Sequence, residues 1–215
     1  MIARRMAEAK ATVPHFQVQT EARVDAVLAL RARLKQEAGE EPAPSVNDVI
    51  VKAAALALRA HPKANGSYRD AHFELHERVN VGIAVAADGA LVVPTIADAD
   101  RLSLAEIGRE ARRLAARVRS GEVTPPELAG GTFTVSNLGM FGMTAITPVI
   151  NVPQAAILGV GATREVLRRA PGGEIEDAAM MTLTLSCDHR ILYGAEASEF
   201  LATIKRLLEE PLLML

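Results

Sequence analysis

The chain has 215 residues, of which 49% are hydrophobic and 23% are charged, so it can form one domain with a sizeable core. Its formal net charge of −2 gives no reason to expect nucleic acid or an acidic membrane as a partner. No apolar run approaches the roughly 18 residues that a membrane-spanning helix needs. The single cysteine, Cys187, excludes an internal disulfide and is typical of a reducing compartment. We therefore predict a cytoplasmic globular protein without a membrane segment.

The first third of the chain predicts one strand and two helices. Patches of alternating apolar and polar residues predict the strand over residues 13–23. A helix follows it and ends at Gly39. Ser45 and Asp48 have the spacing of a helix-starting capping box, and the second helix ends before Pro62. The residues expected on its buried face are Val46, Val49, Ile50, Ala53 and Ala57.

The rest of the chain predicts mainly strands, with two further helices. Strict alternation predicts a strand over 78–87, which the hairpin turn Asp88-Gly89 joins to the next. Ser103 and Glu106 predict the start of a helix over 104–120 that ends at Gly121, and apolar spacing predicts another helix over 194–209. Four more strands are expected over 131–137, 154–161, 164–169 and 179–187. These elements predict an α+β fold with a mixed sheet and flanking helices, and the apolar tail 211–215 is expected to dock against another subunit.

Two segments near the C-terminus carry candidate chemistry. In Asp188-His189-Arg190, a histidine follows an apolar strand and precedes a helix, a position suited to acid–base work near neutral pH. Taken alone, a histidine beside these charges is more often structural. The second segment, 131–142, ends a strand with Ser136-Asn137 and continues through Gly139 and Gly142.

These two segments resemble the catalytic domain of dihydrolipoamide acyltransferases, the E2 components of 2-oxo acid dehydrogenase complexes. Further matches occur in the same order over nearly the whole chain, at residues 2–6, 14–16, 45–54 and 151–158. The resemblance implies a chloramphenicol acetyltransferase-like fold that forms trimers, with the active site between subunits. Trimers of the family assemble into large hollow cores, and for this chain a 24-mer, a 60-mer and a lone trimer all remain open. We expect residues 1–215 to be this catalytic domain, with no lipoyl or subunit-binding domain in the chain.

The resemblance also implies a reaction and its participants. Family members move an acyl group between dihydrolipoamide and coenzyme A, and the segment 134–142 is most like acetyl-specific members of pyruvate dehydrogenase complexes. Coenzyme A is then a substrate, and the lipoyl group comes from another domain or in trans. The expected partners are further copies of the chain, the lipoyl domain, and the E1 and E3 components through regions absent here. No metal is expected, because no ligand spacing links the histidines.

Two residues match the family's catalytic groups. A thiol has a pKa of about 8.5 and a histidine of about 6.5, so His189 can act as the general base without extreme tuning. Ser136 matches the hydroxyl that stabilises the oxyanion of the tetrahedral intermediate. The alternative for Ser136 is a polar residue on the outward face of its strand.

Supporting roles are expected for six further residues. Tyr193 stands where many family members have Asp and some have Asn. Asn137 and Gly139 allow a close approach to a thioester arm, and Asp188 and Arg190 are expected as structural partners of the site. His15 either lines the cleft or is a hydrogen-bonded structural histidine. Two other functions remain open, namely an acyltransferase for a different small acceptor and an assembly scaffold whose site Tyr193 has disabled.

Overall fold

The structure is a computed structural model that describes residues 2–37, 39 and 41–214. Helices and strands alternate irregularly along the chain, which is typical of the predicted α+β class. The α-helices are α1 (Ile2–Thr12), α2 (Asp25–Glu37), α3 (Val46–Ala60), α4 (Leu104–Ser120) and α5 (Gly194–Glu209). None of these helices is long and apolar enough to cross a bilayer.

The strands form one large mixed sheet and two small hairpins. They are β1 (His15–Arg23), β2 (Gly66–Arg69), β3 (His72–Leu75), β4 (Val81–Ile83), β5 (Val85–Ala87), β6 (Ala90–Val92), β7 (Thr95–Ile96), β8 (Phe133–Asn137), β9 (Ala156–Arg169) and β10 (Ile175–Asp188). The large sheet has the order β1-β10-β9-β8-β4-β7, in which β8 is parallel to both of its neighbours and the other pairs are antiparallel. The predicted mixed sheet is therefore confirmed.

The helix boundaries agree with the capping signals. Ser45 and Asp48 form the capping box of α3, and Ser103 begins α4 in the same way with Glu106. Gly121 ends α4 with φ +75°, a left-handed conformation that glycine adopts at little cost. The apolar faces of α2 to α5 pack with one face of the sheet into a single main core. This arrangement leaves the other face of the sheet available for polar residues.

Three predicted strands were wrong in their extent. Residues 154–161 and 164–169 are not separate strands, because both belong to the 14-residue strand β9. Its partner β10 is equally long, beginning at Ile175 rather than at 179. The pairing of β10 with β9 shifts its register between Met181 and Leu183. This β-bulge accommodates the break between the two strands predicted for β9, so no turn divides them.

The alternating segment 78–87 and the stretch before it also differ from the prediction. The segment divides into β4, in the large sheet, and β5, which pairs with β6 across the predicted Asp88-Gly89 turn. The hairpin of β2 and β3 was not predicted at all, nor was helix α1. Residues Asp70 and Ala71, which form the turn of that hairpin, have φ values of 48° and 65°. An alanine in this conformation carries no sequence signal for a hairpin turn.

The apolar tail is partly buried within its own chain. Pro211 and Met214 are buried, whereas Leu212 and Leu213 are 71% and 52% exposed. Leu215 lies outside the described residues. The two exposed leucines remain the part of the tail to which the predicted docking against another subunit applies.

Candidate functional site

His189 lies in a tight turn that Asp188 holds together. The buried Asp188 carboxylate accepts hydrogen bonds from the backbone N–H of Arg190 at 3.0 Å and from its guanidinium at 2.7 Å. The backbone N–H of His189 donates to the Pro14 carbonyl at 3.0 Å. The Arg190 guanidinium also lies 4.5 Å from the centre of the Tyr68 ring. Asp188 and Arg190 thus fix the backbone that presents the histidine.

The His189 imidazole is exposed and lies close to two aromatic rings. The Phe16 ring centre is 4.6 Å from the imidazole centre at an interplanar angle of 54°. The Tyr193 ring centre is 5.6 Å away at 63°, in an edge-on arrangement. Aromatic contacts at these distances restrict ring orientation while leaving the rim of the imidazole accessible. The geometry is that of a positioned, reachable acid–base group.

Tyr193 itself is held at the start of α5. Its backbone N–H donates to the Glu196 carboxylate at 3.2 Å, and the same carboxylate accepts a 2.6 Å hydrogen bond from Lys63. The Lys63 side chain lowers the pKa of Glu196 through that hydrogen bond. The Lys63 Nζ atom is 5.9 Å from the centre of the Tyr193 ring. Sequence reasoning did not identify Lys63, which precedes Tyr193 by more than a hundred residues.

Ser136 lies near the end of β8, on the sheet face opposite the helices. It is half-buried and pairs in register with Gly159 of β9. Thr134, on the same face, is buried and donates to Gln154 at 2.7 Å. The serine therefore borders a covered polar region rather than an open surface.

The chain after Ser136 is fixed by hydrogen bonds from Asn137. The Asn137 side-chain oxygen accepts from the Gly139 N–H at 2.8 Å, and its amide nitrogen donates to Asn47 at the start of α3 at 3.0 Å. A Cβ atom on Gly139 would lie 2.8 Å from the Gly161 carbonyl oxygen. The close backbone approach predicted at Gly139 is thus one within the fold, where the Gly139 backbone packs against β9.

Two glycines of β9 let another segment of the chain cross directly over the sheet beside Ser136. A Cβ atom on Gly159 would lie 2.7 Å from the Ile146 carbonyl oxygen, and one on Gly161 would clash with the Thr144 carbonyl. The sequence pattern assigns no role to these two glycines. The missing signal is the packing of residues 144–148, which the sequence pattern does not reveal.

His15 uses both ring nitrogens in hydrogen bonds to the backbone. Nδ1 lies 2.9 Å from the Val13 carbonyl oxygen, and Nε2 accepts from the Ile150 N–H at 3.2 Å. These contacts require the neutral tautomer with a proton on Nδ1. Of the two roles left open for His15, this geometry favours the hydrogen-bonded structural histidine.

Cys187 precedes the segment Asp188-His189-Arg190 but lies inside the main core. Burial, together with the nearby Asp188 carboxylate, raises the pKa of its thiol to about 12. The thiolate is the nucleophilic form of cysteine, so this side chain is inert at neutral pH.

Neither of two surface cavities contains the candidate groups. A cavity of about 570 Å³ lies at the opposite end of β1 from His189, where Arg23, Arg168 and Lys205 face carboxylates. A smaller one of about 180 Å³ lies between Lys63 and Glu196. Among residues 2–37, 39 and 41–214, no three His, Cys, Asp or Glu side chains are arranged to hold a metal ion.

Ser136 and His189 are far apart within one chain. Ser136 is in register with Gly159, which is in register with Thr184, five residues before His189. At about 3.3 Å per residue along a strand and about 4.8 Å between strands, the two residues are roughly 19 Å apart. Within one chain, the Ser136 and His189 side chains are therefore too far apart to contact the same small group.

Comparison with known proteins identifies the family. The family model for 2-oxoacid dehydrogenases acyltransferase (catalytic domain) matches residues 1–215. The chain belongs to this family. It is 39% identical to the dihydrolipoyllysine-residue acetyltransferase component of the pyruvate dehydrogenase complex from Rickettsia prowazekii, over 100% of this chain and 53% of that protein. The chain thus spans about half the length of this curated relative.

Solved structures of family members have the same fold. Dihydrolipoamide acetyltransferase from Azotobacter vinelandii is 30% identical, with a TM-score of 0.93 over 99% of this chain and 88% of that one. Its catalytic mechanism was investigated at a serine, a histidine and an asparagine four residues after that histidine. The cubic core of a pyruvate dehydrogenase complex is 31% identical, with a TM-score of 0.93 over 99% and 88% of the two chains.

A more distant structure confirms the predicted fold class. Chloramphenicol acetyltransferase is only 12% identical, yet it has a TM-score of 0.57 over 95% of this chain and 94% of that one. At this identity the likeness concerns the fold alone.

Proposed function

We propose that this chain is the catalytic core domain of a dihydrolipoamide acetyltransferase in a pyruvate dehydrogenase complex. It transfers an acetyl group between the dihydrolipoyl thiol and coenzyme A. The observation that carries the proposal is the pair formed by Ser136 and His189, at the ends of β8 and β10. The A. vinelandii relative has a serine and a histidine under investigation for catalysis, and the family match covers the whole chain.

His189 is the general base of the proposed mechanism. Its imidazole accepts the thiol proton of coenzyme A, and the resulting sulfur attacks the carbonyl carbon of the acetyl thioester. The bond from that carbon to the lipoyl sulfur then breaks, and the departing sulfur takes the proton back from His189. This role is supported by the exposure of the imidazole and by the aromatic rings that orient it.

Ser136 stabilises the charge that develops in the tetrahedral intermediate. The oxyanion needs a hydrogen-bond donor fixed in advance, and such a donor typically contributes on the order of 3 kcal/mol to the barrier reduction. The Ser136 hydroxyl is supported by a rigid strand end, with Asn137 tied to Asn47 and Gly159 packed under a crossing segment. This rigidity keeps the donor in place without reorganisation during the reaction.

The active site is then built from two subunits. Because Ser136 and His189 are roughly 19 Å apart in one chain, the serine of one subunit must serve the histidine of its neighbour. We propose trimers as the unit that provides this pairing, with the exposed Leu212 and Leu213 available for contacts in a larger core. The cubic core formed by a relative supports such assembly.

The remaining participants follow from the proposed reaction. Coenzyme A is a substrate, the lipoyl group is delivered by a lipoyl domain, and the E1 and E3 components are further partners. The complex is expected to work in the cytoplasm without a metal at this site. Each of these statements extends beyond the chain itself, which spans about half of the R. prowazekii relative.

The direct test is an assay of the purified protein with acetyl coenzyme A and free dihydrolipoamide. Formation of acetyl-dihydrolipoamide with release of coenzyme A is the expected result. Transfer only to other small acceptors would favour a different specificity. A folded assembly without any acyl transfer would favour a scaffold whose site Tyr193 has disabled, and would contradict the proposal.

A mixed assembly tests the shared site more sharply. His189→Ala and Ser136→Ala subunits are each expected to be inactive, but mixed trimers join an intact serine to an intact histidine at some interfaces. Recovery of part of the activity after dissociation and joint reassembly is the expected result, with each variant reassembled alone as the control. No recovery in verified mixed trimers would contradict a site made from two chains.

A further inference from the structure

The Tyr193 ring lies directly beside His189, the proposed base. It is four residues after His189 and contacts the imidazole edge-on at 5.6 Å. In the A. vinelandii relative, the residue four after the investigated histidine is an asparagine. A phenol ring is larger than the amide of asparagine and cannot take its place. Tyr193 is 50% exposed, so burial alone does not fix the ring. Contacts with other side chains must therefore define its orientation.

Lys63 supplies contacts to both the ring and its backbone. Its Nζ atom lies 5.9 Å from the ring centre, within the range of a cation–π interaction, and 2.6 Å from Glu196. The second oxygen of that carboxylate accepts from the Tyr193 N–H at 3.2 Å. One carboxylate therefore links the lysine to the residue that carries the ring.

The backbone that carries Lys63 is well fixed. The lysine lies in the short 3-10 helix Pro62–Asn65, directly after α3 ends. His61, at the junction, bonds through its ring to Thr203 of α5 at 2.9 Å. The start of this 3-10 helix is therefore tied to the same helix that Tyr193 begins, and the lysine is anchored relative to the ring.

We propose that Lys63 is a positioning residue for His189 and that it acts through the Tyr193 ring. The inference rests on the proposed function, since it concerns the orientation of the proposed base. Lys63 and Glu196 hold the Tyr193 ring against the imidazole, which the Phe16 ring also contacts. Removing the lysine frees the ring to turn into solvent, and the imidazole then samples orientations that cannot accept the thiol proton.

A double-mutant cycle tests whether the lysine acts through the ring. Lys63→Met is expected to lower kcat about 3- to 10-fold with the KM for coenzyme A little changed, as a lost cation–π contact and a freed base would give. In a Tyr193→Ala background the same substitution should have no further effect. Lys63→Arg, which keeps the cation and the carboxylate partner, should retain most activity.

The matched control is Lys205→Met. Lys205 also pairs with a glutamate of α5, Glu209 at 3.8 Å, but at the other end of the helix. This control should leave kcat unchanged. Equal losses from Lys63→Met with and without the Tyr193 ring would overturn the proposal, as would a loss confined to the KM for coenzyme A.

An NMR measurement separates failure of this inference from failure of the proposed function. The chain has five histidines, so the imidazole carbon-bound protons of His189 can be assigned by substitution. The neighbouring rings displace these resonances, and Lys63→Met should move them whereas Lys205→Met should not. If the wild-type protein transferred no acyl group, a Lys63-dependent shift would still support the positioning role. Unmoved His189 resonances in folded Lys63→Met would refute it.

Discussion

The two halves of the proposed site are held in different ways. Around His189 the fixing contacts come from side chains, because Asp188 and Arg190 hold the turn and the rings of Phe16 and Tyr193 lie close to the imidazole. Around Ser136, the fixing elements are backbone contacts made possible by glycines, chiefly where residues 144–148 cross β9. His189 is therefore positioned mainly by side-chain contacts, whereas Ser136 rests on closely packed backbone. Substitutions around the two halves should consequently fail in different ways.

The largest effect is expected from removing the base. His189→Ala should lower turnover at least about 100-fold while the fold is retained, because the thiol proton then has no acceptor. Steady-state rates and thermal unfolding of the variant check both parts. His72→Ala, at an exposed position of β3, is the control. Turnover within a few-fold of the wild type would remove His189 from the mechanism.

Removing the serine should have a comparable effect that appears in kcat. Ser136→Ala should reduce kcat by about 100-fold, with little change in the KM for coenzyme A, because the hydrogen bond forms mainly in the transition state. Full Michaelis curves for both substrates provide the measurement. A loss that lay entirely in KM would identify Ser136 as a ground-state contact instead.

Gly161→Ala should damage the serine half through packing alone. The new methyl group would clash with the Thr144 carbonyl, and overpacking of this kind typically costs about 1–3 kcal/mol of unfolding free energy. Chemical denaturation and turnover should both decline. Gly194→Ala is the matched control, since a Cβ atom there has no neighbour within 4 Å. Equal stability of the two variants would contradict the tight crossing.

A smaller effect is expected at Tyr193. Tyr193→Phe keeps the ring beside His189 and loses only the hydroxyl, so turnover should decrease less than about 10-fold, equivalent to about 1.4 kcal/mol. Comparison of the rate with that of His189→Ala decides the matter. A phenylalanine variant as inactive as His189→Ala would show that the phenol hydroxyl itself takes part in the reaction.

The smallest effect concerns Cys187, which should not react at all in the folded protein. With its pKa raised to about 12 by burial, the thiol stays protonated between pH 7 and 8. Treatment with iodoacetamide in that range should leave turnover unchanged, and mass spectrometry should find an adduct only after denaturation. Alkylation of the native protein would show that the strand before His189 opens.

The predicted elements succeeded where the signal is local. The capping residues Ser45 and Ser103 and the ending residue Gly121 are read within one helical turn, and all three boundaries are confirmed. Strand extents depend on partners far away in the chain, so the single strand β9 was predicted as two. The hairpin around Ala71 was missed because an alanine with positive φ has no turn signature.

The same distinction applies to the site. His189 and its charged neighbours form one short segment, so the sequence predicts them together. Asn47 and Lys63 contact Asn137 and Tyr193 from distant parts of the chain, and no pattern within either segment indicates those pairs. The roughly 19 Å between Ser136 and His189 also depends on strand order and register, which alternation alone does not provide.

The crossing over β9 has a consequence for genetic screens of this protein. A saturation library scored for loss of function should mark Gly159 and Gly161 as intolerant, much as it marks His189. Neither glycine has a side chain that could take part in chemistry, and their intolerance would reflect the space beneath Ile146 and Thr144. Mutational sensitivity would then outline the scaffold of the serine half as strongly as the reacting groups, and only kinetic measurements on folded variants would distinguish them.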